Sequence, residues 1–167
     1  KNKDEKTMFF GIGGHPGFNL PMEERLSFDD YELEFSERCE PKRILFSQEC
    51  FVEGKKAYEL TEGNRIPLQH NIFDEDAIVL EGTSGQVLLH SLKGKKGVKV
   101  AYLDMPYIGF WHMPCTDAPY VCIEPSLQTG DHRRPGKTGG SSFPGVWQRA
   151  PGFLDNGNSL GRQEIGP

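Results

Sequence analysis

The sequence lacks the features that would take a protein into a membrane or onto a nucleic acid. None of its apolar runs approaches the roughly 20 residues that span a bilayer. The first residues, Lys1–Lys6, lack the hydrophobic core of a signal peptide. The formal net charge of the 167 residues is −5, and no basic stripe is present that would follow a phosphate backbone. We therefore expect a cytoplasmic protein that binds neither membranes nor nucleic acid.

The sequence also lacks the spaced ligands of metal and cofactor sites. Its four cysteines form no CxxC pair, zinc knuckle or haem attachment, so we expect reduced thiols, although two of them, Cys115 and Cys122, lie within one hairpin. The Gly130–Thr138 stretch has the wrong glycine spacing for a phosphate-binding loop. Four of the five histidines show no metal-ligand spacing; they are His70, His90, His112 and His132. The sequence therefore indicates no metal and no cofactor.

No segment has a sustained 3.6-residue apolar period, so long helices are not expected. Short β-rich runs recur instead, at intervals typical of an all-β sandwich or barrel. The predicted strands are Thr7–Gly13, Tyr31–Phe35, Arg43–Ser47, Ala57–Leu60, Ala77–Glu81, Gln86–Leu92, Gly97–Leu103, Ile108–Trp111 and Tyr120–Glu124. This pattern predicts one all-β unit over residues 1–125.

The composition changes after Pro125. Residues 126–167 contain nine of the 20 glycines and four of the 12 prolines, and they carry five Lys/Arg against three Asp/Glu. Such a segment buries little apolar surface to offset the entropy of ordering it, so we predict an irregular or disordered tail. One hypothesis for this abrupt change is that the tail is read in a shifted frame or joined from elsewhere.

A single histidine, His15, stands between glycines and a proline at the end of an apolar run, in Gly13-Gly14-His15-Pro16-Gly17. Flanking Gly and Pro remove bulk and fix the backbone, which suits a histidine that is presented to a pocket for proton transfer. A Gly/Pro turn with an incidental histidine is the alternative, and the local sequence leaves both open.

Two acids follow or precede apolar strands. Glu124 ends the apolar run Tyr120–Ile123, where apolar neighbours would raise its pKa and suit it to general base catalysis. The alternative is a strand-end residue in water. Asp76 is the acid nearest the buried run Ala77–Leu80 and is the best inward-pointing candidate of a charged turn that lacks the spacing of a calcium loop.

Taken in order, several motifs resemble the C-terminal part of the aldose 1-epimerase (galactose mutarotase-like) family, in its uncharacterised bacterial branch. These motifs are Gly13–Asn19, Phe28–Phe35, Arg65–Leu68, His70–Ile78, Ile108–Trp111 and Ala118–Pro125. The resemblance implies an antiparallel β-sandwich with a sugar-binding cleft on one sheet. It also implies His15 as general acid, Glu124 as general base, and Asp76 and Asn19 as substrate-binding residues.

The activity implied is interconversion of the α and β anomers of an aldose or sugar phosphate, without metal or cofactor. The chain begins just before the His15 motif, so we expect an incomplete sandwich that lacks the family's N-terminal half. Exposed sheet edges would then favour self-association. Two alternatives to an enzyme remain: a carbohydrate-binding protein without turnover, and a structural β-sandwich whose cleft is a relic.

Overall fold

A computed structural model describes residues 11–48 and 50–127 and the backbone of residues 163–165. The described chain is almost entirely β-structure, interrupted by two short 3-10 turns at Phe28–Asp30 and His70–Phe73. Every strand pairing is antiparallel, and the strands form two sheets. The predicted all-β, antiparallel fold is therefore confirmed.

The larger sheet has six strands in the spatial order β1-β10-β9-β6-β3-β4. Its strands are β1 (Gly17–Asn19), β3 (Lys42–Phe46), β4 (Val52–Ala57), β6 (Ile78–Glu81), β9 (Tyr107–Trp111) and β10 (Tyr120–Ser126). The smaller sheet has five strands in the order β11-β8-β7-β2-β5. Its strands are β2 (Glu32–Phe35), β5 (Arg65–Pro67), β7 (Gln86–His90), β8 (Gly97–Ala101) and β11 (Gln163–Ile165).

The core lies between the two sheets, because alternate residues of each strand point to opposite faces. Phe35 from the smaller sheet meets Phe110 from the larger one, with ring centroids 6.2 Å apart. In β9 and β10 the residues Ile108, Phe110, Val121 and Ile123 belong to this buried core. The intervening residues of these two strands therefore lie on the outer face of the larger sheet, and Glu124 is one of them.

Seven predicted strands match observed strands in position. The observed strands are β2, β3, β6, β7, β8, β9 and β10. The predicted strand Ala57–Leu60 is wrong, because the strand lies earlier, at Val52–Ala57. That strand forms an edge of its sheet and is mostly exposed, so its sequence carries little apolar alternation. The short strands β1 and β5 were not predicted. Most of the predicted strand Thr7–Gly13 lies outside the described residues.

The predicted irregular tail contributes one strand, β11, which pairs with β8. The rest of the tail beyond Leu127 lies outside the described residues, so its predicted irregularity stays a prediction. The four cysteines are free thiols. Within the described ranges, no helix has both the length and the apolar character needed to cross a membrane.

Candidate active site

The His15 segment is attached to strand β10, which carries Glu124. The Gly14 amide donates to the Pro125 carbonyl at 2.8 Å, and the Ile123 amide donates to the Pro16 carbonyl at 3.0 Å. A Cβ at Gly13 would lie 3.1 Å from the Pro125 carbonyl oxygen, so a glycine permits this close approach of the two backbones. These contacts hold His15 beside Glu124.

The two side chains are in direct contact. Nε2 of His15 lies 2.9 Å from Oε1 of Glu124, and the side chains are 31% and 2% exposed, respectively. Within the part of the chain that the structure describes, Oε1 accepts no hydrogen bond of good geometry, although it is buried. A buried carboxylate oxygen without such a bond is costly, and a ligand hydroxyl would satisfy it.

Burial, and secondarily the nearby carboxylate of Asp76, raise the pKa of Glu124 to about 7. Glu124 is therefore partly ionised at neutral pH, which is the condition under which a carboxylate serves best as a general base. Burial, together with the adjacent Glu124, raises the pKa of the Cys122 thiol to about 11. Cys122 is thus a protonated thiol at neutral pH and a poor nucleophile.

Asp76 lies in the turn between the second 3-10 turn and strand β6. Its amide donates to the Phe73 carbonyl at 2.9 Å. Its backbone has a φ of +87°, in a region that residues other than glycine rarely adopt. Strain of this kind persists where the surrounding structure holds it, often at a functional site. The turn directs Asp76 to the same cleft as Glu124.

The cleft has a volume of about 550 Å³, which suits a small-molecule ligand. His15, Asp76 and Glu124 all line it, so the structure brings three predicted site residues together. Trp111 also lines it and meets the His15 ring edge-on, with centroids 6.1 Å apart. An indole at this place gives the cleft an apolar wall beside the His15 ring.

The fourth predicted residue, Asn19, lies elsewhere. It is exposed on the edge strand β1, opposite Tyr120, and it is not among the residues that line the cleft. The lining residues that were not predicted as site residues include Arg43, Lys56 and Trp111. Trp111 belongs to the Ile108–Trp111 motif, so the resemblance carried a signal for it. The two basic residues had none, since only the pairing of β3 with β4 brings them together.

Among residues 11–48 and 50–127, two groups of side chains offer donor atoms that would suit a metal ion. His15, Cys122 and Glu124 form one group, with their ligand atoms within 4.8 Å of one another. Glu32, Glu34 and His90 form the other, on the smaller sheet. The carboxylates of that second group also form ion pairs with the Arg65 guanidinium, at 3.4–3.6 Å, so a positive charge already lies beside them. The first group coincides with the proposed acid–base pair.

The chain was compared with known proteins. No family model matches the sequence. The plasmid-encoded and chromosomal LacX proteins of Lactococcus lactis subsp. lactis are each 35% identical to it over an alignment of length 132, and the match covers 72% of this chain and 41% of theirs. The chain therefore spans less than half the length of these curated relatives.

Two solved structures share the fold. A galactose mutarotase related enzyme from Lactobacillus acidophilus superposes with a TM-score of 0.71 and 29% identity, over 81% of this chain and 46% of its own. A galactose mutarotase-like protein from Lactobacillus casei gives a TM-score of 0.64 and 29% identity, over 75% and 44%. These likenesses confirm the resemblance that the sequence motifs predicted, and they establish the fold class.

Proposed function

Because its fold is that of the galactose mutarotase-like proteins, we propose that this chain carries the acid–base pair of an aldose 1-epimerase. The observation that carries the proposal is the contact of His15 with Glu124, at 2.9 Å, within a cleft of ligand size. The raised pKa of Glu124 supports it. Glu124 is then available to take a proton near neutrality.

The reaction needs one proton to leave the sugar and one to arrive. The Glu124 carboxylate removes the proton from the C1 hydroxyl, and the resulting electron pair forms the C1 carbonyl. The bond between C1 and the ring oxygen breaks, and the ring oxygen takes a proton from the His15 imidazolium. The open aldehyde rotates about C1–C2. Ring closure then reverses both proton transfers and gives the other anomer.

The side chains of His15 and Glu124 touch, so they would not stand on opposite sides of a bound sugar. The C1 hydroxyl and the ring oxygen share the carbon C1, so the two reacting oxygens are close neighbours. An adjacent pair therefore reaches both from one side, once the sugar hydroxyl inserts between them.

Asp76 and Trp111 would hold the sugar in this orientation. The carboxylate of Asp76 would accept hydrogen bonds from sugar hydroxyls, while the indole would pack on the ring. Because Asn19 lies outside the cleft lining, its predicted contact with substrate stays a prediction.

The substrate is an aldose or an aldose phosphate, and the protein would act in the cytoplasm. Copies of this chain would associate through edge strands such as β1 and β4. Analytical sedimentation would measure this association.

Exchange between sugar anomers, followed by NMR, tests the proposal. The wild-type chain should speed exchange beyond buffer catalysis, while Glu124→Gln should lower the rate by about 100-fold or more, as expected for loss of a general base. Sugar binding by Glu124→Gln should persist, because glutamine retains an acceptor oxygen. Binding without exchange in the wild-type chain would instead favour the carbohydrate-binding alternative and contradict the enzyme. Absence of both would favour the structural relic.

A further inference from the structure

We infer that His112 is a positioning residue of the cleft, which acts through a hydrogen bond with His70 and thereby holds Asp76 in place. The inference rests on the proposed function only for the part that Asp76 plays in sugar binding. Neither histidine lines the cleft, so neither would touch a bound sugar. The two imidazole rings form a pair that the proton transfers described above do not use.

One hydrogen bond joins the two rings, and its direction follows from the surroundings. His112 comes directly after Trp111, the last residue of β9, and is fully buried. Its Nδ1 lies 2.8 Å from the Met113 carbonyl oxygen, which can only accept, so Nδ1 carries a proton. In the neutral ring Nε2 is then an acceptor. Nδ1 of His70 lies 3.2 Å from this Nε2 and donates to it.

This bond attaches the turn that leads to Asp76 to the end of the strand that carries Trp111. His70 is the first residue of the second 3-10 turn, and Phe73 is the last. The Phe73 carbonyl accepts from the Asp76 amide at 2.9 Å. Asp76 and Trp111 both line the cleft, so the histidine pair links two parts of its wall from behind.

A second contact fixes the other end of the same turn. Oδ1 of Asp74 accepts from the Cys115 amide at 3.1 Å. The segment from residue 70 to residue 74 is therefore tied at both ends to the connection between β9 and β10. Asp76 follows it with a φ of +87°, a strained conformation that persists only while its surroundings hold it. Release of the His70 end should let the Asp76 carboxylate leave its place in the cleft.

Aromatic rings pack around the pair. The Phe28 ring stacks on that of His70 with centroids 3.9 Å apart, and the Phe73 ring lies 4.5 Å from that of His112. Burial lowers the pKa of His112, and the neighbouring His70 adds to this effect, while Asp74 opposes it. The lowered pKa keeps the His112 ring neutral at neutral pH, so its Nε2 stays an acceptor.

Four variants separate positioning from simple packing. In His112→Asn the amide nitrogen replaces Nδ1 and keeps the bond to Met113, but the acceptor for His70 is lost. In His112→Gln the amide oxygen replaces Nε2 and keeps that acceptor. His70→Ala removes the donor, whereas His70→Asn retains an N–H at the position of Nδ1. Each variant that breaks the bond is thus matched by one that keeps it.

Titration with D-galactose, followed by NMR, measures affinity without turnover. His112→Asn and His70→Ala should bind galactose about tenfold more weakly, as expected when a hydrogen bond to the charged Asp76 is lost. His112→Gln and His70→Asn should stay within about twofold of the wild-type chain. In anomer exchange, KM should rise by the same factor in the two bond-breaking variants. Their kcat should change little, because the contacts of Gly14 and Pro16 with β10 hold the acid–base pair independently.

Hydrogen exchange of the Asp76 amide gives a readout that needs no sugar. It should be faster than in the wild-type chain in His112→Asn and His70→Ala, and it should match the wild-type rate in the two variants that keep the bond. If the wild-type chain binds no galactose, this measurement decides the inference. Urea unfolding of His70→Ala, a half-buried substitution in a turn, verifies that the fold is intact.

Three results would overturn the inference: wild-type galactose affinity in both bond-breaking variants, an equal loss in His112→Asn and His112→Gln, or unchanged exchange of the Asp76 amide in His112→Asn and His70→Ala. Galactose binding by the wild-type chain without anomer exchange would contradict the proposed function instead. The affinities and amide exchange rates of the four variants would then still support or refute the role of His112.

Discussion

Replacing Glu124 with glutamine should make the protein more stable at alkaline pH while it removes the proposed general base. Burial raises the pKa of this carboxyl from an ordinary value of 4.5 to about 7. The folded state therefore holds a proton that the unfolded state releases between these values. Stability that is fully present below pH 4.5 is lost as the pH rises through 7, because the buried carboxylate becomes charged.

The size of this loss follows from the same two values. Each pH unit between them corresponds to about 1.4 kcal/mol, so the whole interval corresponds to about 3 kcal/mol of unfolding free energy. A protonated His15, with Nε2 at 2.9 Å from Oε1, would stabilise the carboxylate and reduce this amount. The figure is therefore an upper bound. Glutamine stays neutral at every pH and avoids the loss.

Urea unfolding, followed by circular dichroism at about pH 4.5 and about pH 8.5, measures the effect. The advantage of Glu124→Gln over the wild-type chain should be larger by up to about 3 kcal/mol at the higher pH. Glu59→Gln is the matched control, since Glu59 is exposed, and it should alter stability by no more than about 0.5 kcal/mol at either pH. A difference between wild type and Glu124→Gln that is independent of pH would refute the reasoning.

Three further outcomes are expected. Gly13→Ala should slow anomer exchange, because its Cβ would press on the Pro125 carbonyl and displace His15; an unchanged rate would contradict this. Phe35→Ala should cost about 3–5 kcal/mol in urea unfolding by opening a cavity between the sheets, and a cost below 1 kcal/mol would argue against that packing. Zinc chloride should slow exchange by occupying the donor atoms of His15, Cys122 and Glu124, and EDTA should restore the original rate.

The fold could be predicted largely because the sequences of its buried strands either alternate apolar and polar residues or consist of continuous apolar runs. Strands β2 and β6 lie in the interior of their sheets, and their sequences show this directly. Strand β4 is an edge strand with exposed lysines, so its sequence resembles that of a loop. Strands β1 and β5 have three residues each, which is too short for a period-2 pattern to be recognised.

Site residues were predicted where they lie in local sequence motifs. They were missed where only the pairing of strands brings them together. His15 and Glu124 each stand in a recognisable Gly/Pro or Glu-Pro context. Arg43 and Lys56 become neighbours only through the register of β3 with β4, and this register includes a shift between Leu45 and Phe46. The sequence does not reveal such a register, because bulges are set by tertiary packing.

The pH dependence of anomer exchange tests the central claim most directly. Two-dimensional exchange NMR on the wild-type chain, corrected for buffer catalysis, gives the rate at each pH. If Glu124 is the general base and His15 the general acid, the rate should follow a bell-shaped pH profile, whose rise around pH 7 reports ionisation of Glu124, with its pKa of about 7. The rise should be absent in Glu124→Gln. A protein-catalysed rate that stays flat around this pKa, or one that Glu124→Gln retains, would contradict the account.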